Sequence, residues 1–278
     1  MKNPGRALLV LVLIAFLIAL VVVVAPMLLK EEKNSEVSEL PGSAQEGPQV
    51  LSSERKIGTL EYYKEFLLEL KKPRYLVLNV RQFVELIREG WHPPKDRVTV
   101  ILRHDVDHDP ETAFKMAEME HELGINASYY FRVRAKYNVL SPNVSSEIKQ
   151  IAAWGFDVGL HYEDLYVANY NATKAIQLFK LDLEIMRSLV PVKTVCAHCN
   201  RADMPIPNFE MFKMANKTLK DFGLEAECYL TVLPIIRKYQ HRALADNMGH
   251  LVDWIAEVRH DKPGWVVYLL IHPCYYRG

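Results

Sequence analysis

Hydrophobic and polar positions change rhythm twice along the chain. Ala7 to Leu29 is an unbroken apolar run without a charge. As a helix it would reach about 35 Å at ~1.5 Å per residue, enough to cross a hydrocarbon core of ~30 Å. Lys2 and Arg6 precede it, while Lys30, Glu31, Glu32 and Lys33 follow and cancel. The positive-inside bias therefore predicts a cytoplasmic amino terminus and an extracytoplasmic remainder. A cleaved signal peptide would have an apolar stretch of roughly 7–15 residues and a small-x-small cleavage site. This run is longer, and Val24-Ala25-Pro26-Met27 is a poor site, so an uncleaved single-pass anchor in the cell membrane is expected. Residues 30–56 are rich in Glu, Ser, Gly and Pro and read as a flexible stalk. The predicted organisation is a cytoplasmic start (1–6), a transmembrane anchor (7–29), a stalk (30–56) and one folded domain (57–278).

Within that domain the period alternates. Thr59 to Leu70 and Asn79 to Gly90 carry apolar residues at helical spacing, the second with an Asn cap and a Gly stop. Val98 to His104 then reads as a strand, and Pro110 to Leu123 as a helix capped by Asp109 and stopped by Gly124. Ala127–Val133, Phe156–His161, Thr194–His198, Glu225–Leu230 and Trp265–His272 read as further strands. Between them Ser145–Trp154, Thr173–Leu189, Phe209–Leu219 and Leu251–Val258 read as helices. Strands and helices trading places predict an α/β fold with a parallel sheet or barrel. No internal repeat is visible.

Composition narrows the partners. Lys+Arg and Asp+Glu balance at 34 each, so no nucleic acid is expected, and no feature points to a protein partner. Asn126, Asn143, Asn171 and Asn216 each open an N-x-Ser/Thr glycosylation pattern, in keeping with an exported domain. The four cysteines are Cys196, Cys199, Cys228 and Cys274. A disulfide or plain buried thiols are favoured over a thiolate metal site, because no second Cys pair completes a zinc knuckle.

The candidate chemistry sits where the predicted strands end, the usual place for active sites in parallel α/β folds. The strand from Val98 ends Arg103-His104-Asp105-Val106-Asp107-His108-Asp109, and the one from Phe156 ends His161-Tyr162-Glu163-Asp164. Two later strands end at His198 and at His272. Four strands thus deliver Asp and His to one rim. Asp105 and Asp107 share a face of an extended segment, and two carboxylates there require a proton or a nearby cation. With imidazoles on the same rim, a divalent metal is expected. Mixed N and O donors suit zinc, with Mn, Fe or Co as alternatives.

The run His104-Asp-Val-Asp107, a Tyr-Tyr-Phe-Arg strand, Gly-Leu-His161-Tyr-Glu and a late Leu270-Ile-His272 resemble the polysaccharide deacetylase superfamily. These are carbohydrate esterases with a NodB-like distorted (β/α) barrel, and the likeness is to the divergent branch carrying His-Asp-Val-Asp. It spans roughly Val98 to His272. The resemblance implies a metal-dependent hydrolase that removes N-acetyl or other acyl groups from a sugar or polysaccharide. It assigns Asp105 as general base, Asp107 and His161 as metal ligands, and His272 as general acid. The family's second metal histidine falls at Leu165, which cannot ligate. His198 is expected to supply the third ligand, with Glu163 as its substitute and Asp164 a lesser option. Arg103 is expected to pair with a carboxylate of the site. It is grouped with Asp246 and His250 as a candidate lining of the substrate groove. His104 and His108 are expected behind the ligands or at the surface.

Two other readings remain open. A non-catalytic carbohydrate-binding member of the same fold would explain the missing histidine. An Asp-x-Asp glycosyltransferase would place Mn²⁺ on a nucleotide diphosphate, but no Gly-rich phosphate loop precedes the motif.

Overall fold

A computed structural model describes residues 56–198, 204–247 and 250–278, all within the unit Glu54–Gly278. The expected cytoplasmic start, anchor and nearly all of the stalk lie outside the described residues, as does Cys199. Among the described residues no helix is long and apolar enough to cross a membrane.

The elements follow in order. They are α1 (Leu60–Leu70), β1 (Tyr75–Leu78), α2 (Val80–Arg88), β2 (Val98–Val106), α3 (Pro110–Leu123) and β3 (Ser128–Phe131). Next come α4 (Pro142–Ala153), β4 (Asp157–Tyr162), α5 (Asp164–Val167), α6 (Ala172–Arg187), β5 (Thr194–Ala197) and α7 (Glu210–Met214). After them stand β6 (Ala226–Glu227), a π-helical turn (Cys228–Val232), α8 (Leu233–Ile236), β7 (His241–Ala245), α9 (Trp254–His260) and β8 (Val266–Ile271). The caps are local. Asn79 and Gln82 form a capping box at α2, and the Asp109 side chain accepts from Thr112 N at α3. Gly124, at φ 62°, ends α3 in the left-handed region that glycine adopts without strain.

All pairings in the eight-stranded sheet are parallel, in the order β6-β5-β4-β3-β2-β8-β7. β1 pairs with the first half of β2, from Val98 to Ile101, and β3 with the second, from Arg103 to Val106. The sheet is a half-barrel, since β6 and β7 end the order without pairing to each other. A parallel half-barrel agrees with the expected α/β class and with a distorted (β/α) barrel in its coarse form.

β2 is buried along its whole length because it is covered on both faces. Val98, Val100, Leu102 and Val106 join the larger apolar cluster beneath the helices, whereas Ile101 joins the smaller cluster on the inner face. Arg103 and Asp105 follow Ile101 inward by the two-residue period. His104 goes outward, where it meets Glu120 of α3 at 2.8 Å and stacks on Tyr129. Tyr63 of α1 and Tyr129 donate to the two oxygens of that carboxylate.

Several boundaries differ from the expectation. β1 and β7 are strands that the apolar pattern does not announce: β1 has four residues, and β7 offers only Leu244 as a large apolar side chain. Phe209–Leu219 is not one helix, because Asn216, at φ 52°, breaks it into α7 and a short 3₁₀ turn at Leu219–Phe222. The strand expected over Glu225–Leu230 stops at Glu227. There the Glu227 carboxylate accepts from Tyr229 N and Leu230 N and caps a helical turn instead. Pro142 opens α4 three residues before the expected start, and α9 starts at Trp254 rather than Leu251.

Candidate metal centre

The site stands at the carboxyl ends of β2, β4, β5 and β8. β2 presents Asp105, and Asp107 lies just past its end in a turn closed by Asp107 N donating to Asp105 O at 3.1 Å. β4 presents His161. His198 follows β5, its backbone N–H donating to Tyr162 O at 2.7 Å so that the ladder continues one residue past the strand. His272 follows β8, and Asp246 follows β7.

Asp107, His161 and His198 each offer a donor atom within 4.8 Å of the others. His161 Nε2 and His198 Nε2 both lie 3.4 Å from Asp107 Oδ1. That is too long for a good hydrogen bond, and Asp107 Oδ1 is buried without a hydrogen-bond partner. Donors held about 2.1 Å from one zinc ion in tetrahedral geometry stand roughly 3.4 Å apart. The observed spacing therefore fits a shared cation. His161 Nδ1 donates to the carbonyl of Cys196 at 3.0 Å, which leaves Nε2 as the lone-pair nitrogen. His198 is set the same way by Glu163, whose Oε2 lies 3.1 Å from Nδ1. The other oxygen of Glu163 accepts from Arg132 at 2.6 Å. Both oxygens of Glu163 are thus engaged, one by His198 and one by Arg132, an arrangement that orients the His198 ring.

Asp105 lies one step inward. Its Oδ2 accepts from Arg103 Nη2 at 2.8 Å and stands 3.4 Å from His161 Nε2. The Cys196 thiol lies 3.9 Å from the same oxygen, and Asp105, His161 and Cys196 form a second close donor set. Both sets draw on the one free nitrogen of His161, so only one can be complete at a time. Burial also pushes the Cys196 thiol well above its usual range, against thiolate formation.

Opposite stands His272, its Nε2 3.9 Å from Asp107 Oδ2 and its Nδ1 2.6 Å from Asp246 Oδ1. Asp246 is buried and also accepts from His272 N at 3.0 Å.

The electrostatics follow the contacts. Burial alone would raise Asp107, but His161 and His198 hold it far below the usual carboxylate range. Burial likewise opposes ionisation of Asp105, which Arg103 and then His161 keep below the ordinary value. Glu163 is lowered to about 2 against its burial by His198 and Arg132. His272 rises despite burial because Asp246 bonds it, and His198 rises despite burial because Asp107 and Glu163 face it.

Of the residues expected at the site, Asp105, Asp107, His161, His198, Glu163, His272 and Arg103 converge. Asp246 also converges, but as the buried partner of His272 rather than as groove lining. His250 is exposed, and its backbone pairs with Asn247. No contact among the described residues joins its side chain to the cluster. Asp164 turns away to Arg134, 3.6 Å distant, and His108 is exposed. Cys196, Cys228 and Cys274 are free thiols, so among the described residues there is no disulfide. Asn143, Asn171 and Asn216 are exposed, whereas the Asn126 side chain accepts from Asn79. Arg132 and the Cys196 thiol are site groups that sequence reasoning missed. The Tyr-Tyr-Phe-Arg132 strand end was the available signal for the first.

The sequence matches no protein-family model and no curated protein. Among solved structures the chain is similar to the Streptococcus pyogenes deacetylase PplD in complex with acetate, at 12% identity and a TM-score of 0.41. That alignment covers 60% of this chain and 77% of that one.

Proposed function

We propose that the protein is a metal-dependent amide hydrolase that removes N-acyl groups, acetyl among them, from a sugar or polysaccharide. The observation that carries the reading is Asp107 Oδ1 faced by two imidazole nitrogens at 3.4 Å with no hydrogen-bond partner of its own. Asp107, His161 and His198 would hold a divalent cation. Zinc fits two imidazoles and a carboxylate best, with Mn, Fe or Co as alternatives. When bound, the cation supplies Lewis acidity toward the amide carbonyl and lowers the cost of generating hydroxide at neutral pH.

The chain's own groups do the rest. Asp105, kept ionised by Arg103, accepts the proton of the attacking water. Arg103 fixes that carboxylate through one hydrogen bond. His272, whose protonated form Asp246 favours against burial, gives its proton to the departing amine. The sugar is proposed from the sequence resemblance, and the placement from the apolar run and the charges that flank it. Residues 7–29 would anchor the chain in the lipid bilayer, with the amino terminus in the cytoplasm and the catalytic domain outside it.

Elemental analysis of the purified full-length chain, paired with acetate release from N-acetylated oligosaccharides, tests the reading. The Asp107→Ala variant is expected to lose metal and activity together. Asp105→Asn should keep most of its metal while turnover falls ~10²-fold or more. A wild-type protein with no stoichiometric metal would favour a carbohydrate-binding module, and turnover of nucleotide sugars a glycosyltransferase.

A further inference from the structure

One imidazole serves two sets of donors. His161 Nε2 stands 3.4 Å from Asp107 Oδ1 and equally 3.4 Å from Asp105 Oδ2. Toward the rim it belongs with Asp107 and His198, and inward with Asp105 and Cys196. Strand register builds the inner set. His161 of β4 pairs with Cys196 of β5, and neighbours in parallel register share a face of the sheet. Cys196 therefore acts twice. Its carbonyl accepts from His161 Nδ1 and leaves Nε2 as the free nitrogen, and its thiol stands 3.9 Å from Asp105 Oδ2. Around one tetrahedral zinc ion, a sulfur at ~2.3 Å and an oxygen at ~2.1 Å stand about 3.6 Å apart. The observed separation is a few tenths of an ångström longer, and a larger ion closes that gap.

Asp105 is 2% exposed, and its Oδ1 has no hydrogen-bond partner. The charges also balance around an inner ion. Arg132 and His272 are matched by Glu163 and Asp246. Asp105, Asp107 and a Cys196 thiolate then oppose Arg103 and a divalent cation, three charges against three. The way in is the outer set, where the Asp107 and His198 side chains keep 15% and 13% exposure. The two sets differ in chemistry. Two imidazoles and a carboxylate suit zinc or a harder ion, whereas a sulfur donor selects thiophilic ions.

We propose that Asp105, His161 and Cys196 form an alternative, inner metal site for a soft divalent cation of the cadmium type, and that an ion held there inhibits the enzyme. Capture replaces the thiol proton: Cys–SH and M²⁺ give a sulfur–metal bond and one proton released to solvent, with no change of oxidation state. It withdraws two groups at once. His161 is lost to the outer set, and Asp105 becomes a ligand instead of a base. The inner site stands on geometry alone; the inhibition rests on the amide-hydrolase reading.

The test is cadmium titration of the metal-free full-length protein, followed by the ultraviolet thiolate-to-cadmium charge-transfer band, with zinc affinity measured in parallel against a fluorescent chelator. The wild type is expected to develop the band of a single thiolate. Cys196→Ser, with an unchanged circular-dichroism melt, should lose that band and keep the wild-type zinc affinity. Its cadmium affinity should fall beyond the ~10- to 100-fold that loss of a ligand's supporting partner costs. His198→Ala should do the reverse, losing zinc and keeping the band. Cys199→Ser, Cys228→Ser and Cys274→Ser should each keep it. A band that survives Cys196→Ser, or that vanishes in His198→Ala, would overturn the inner site. In acetate-release assays, the cadmium concentration that halves each protein's own rate should rise about tenfold or more in Cys196→Ser, and equal inhibition of the two proteins would overturn the inhibitory role. A Cys196-dependent band in a protein that hydrolyses no amide would support the inner site and overturn the hydrolase reading.

Discussion

Exchanging Glu163 for Gln separates the two ways in which that residue could serve the metal centre. Its Oε2 lies 3.1 Å from His198 Nδ1, and Arg132 grips the other oxygen at 2.6 Å. The substituted amide would keep the shape and could still accept from Nδ1, but it would remove the charge that assists the bond. Charge-assisted hydrogen bonds contribute ~1.5–3 kcal/mol. Loss of a group that orients a metal-binding histidine usually costs about 10- to 100-fold in affinity, or ~1.4–2.7 kcal/mol. The two ranges agree, so Glu163→Gln is expected to weaken zinc about 10- to 100-fold while stoichiometry at saturation stays at that of the wild type. His198→Ala deletes a donor outright and should cost at least ten times more. Competition against a fluorescent zinc chelator at pH 7.5, on both variants and the parent, reads the difference directly. Equal losses in the two variants would make Glu163 a ligand and refute the orienting role. No loss in Glu163→Gln would show that His198 needs no partner at Nδ1.

Two further outcomes follow from buried groups away from the metal. At Gly159 on β4, an added Cβ would stand 2.3 Å from Thr194 O and 2.6 Å from the Tyr130 ring. Gly159→Ala should therefore cost at or above the ~1–3 kcal/mol of ordinary overpacking, read as a lowered midpoint in denaturant, and an unchanged midpoint would contradict the packing. Burial pushes Glu227 up to about 7 from 4.5, although the N–H groups of Leu230, Ala197 and Tyr229 oppose it. The folded state then binds more protons than the unfolded state between those values, so stability is fully present below pH ~4.5 and declines as pH rises through ~7. The wild type should lose about 3 kcal/mol more than Glu227→Gln between pH 4.5 and 7.5. Denaturant titrations of the two proteins at both pH values that run parallel would refute it.

The sequence made some of this structure legible and concealed the rest for physical reasons. Asp105, Asp107, His161, His198 and His272 could be placed together because each follows a run apolar enough to be a buried parallel strand, and such strands end on one rim. β7 escaped notice because an edge strand over a seam needs little apolar surface, and its alanines carry no alternation. Asp246 ends that unseen strand, so its pairing with His272 was equally hidden. The two-residue period shows that Arg103 and Asp105 share a face, but not which face is inner. Glu163 looked like a donor by its spacing from His161. Only the position of Arg132, arriving from β3, shows that its oxygens are spoken for.

The outward tie at His104 has a consequence for the rim. His104, Glu120, Tyr63 and Tyr129 are all fully buried, and they clamp β2 to α1 and α3 from the side away from the chemistry. Were β2 to slide by a single residue, Asp105 and Arg103 would be thrust among the helices and His104 into the bowl, and every polar partner would be lost at once. The knot therefore acts as an indexing pin. Lesions at Tyr63 or Glu120, remote from any ion, should misalign the rim as surely as damage to the rim itself.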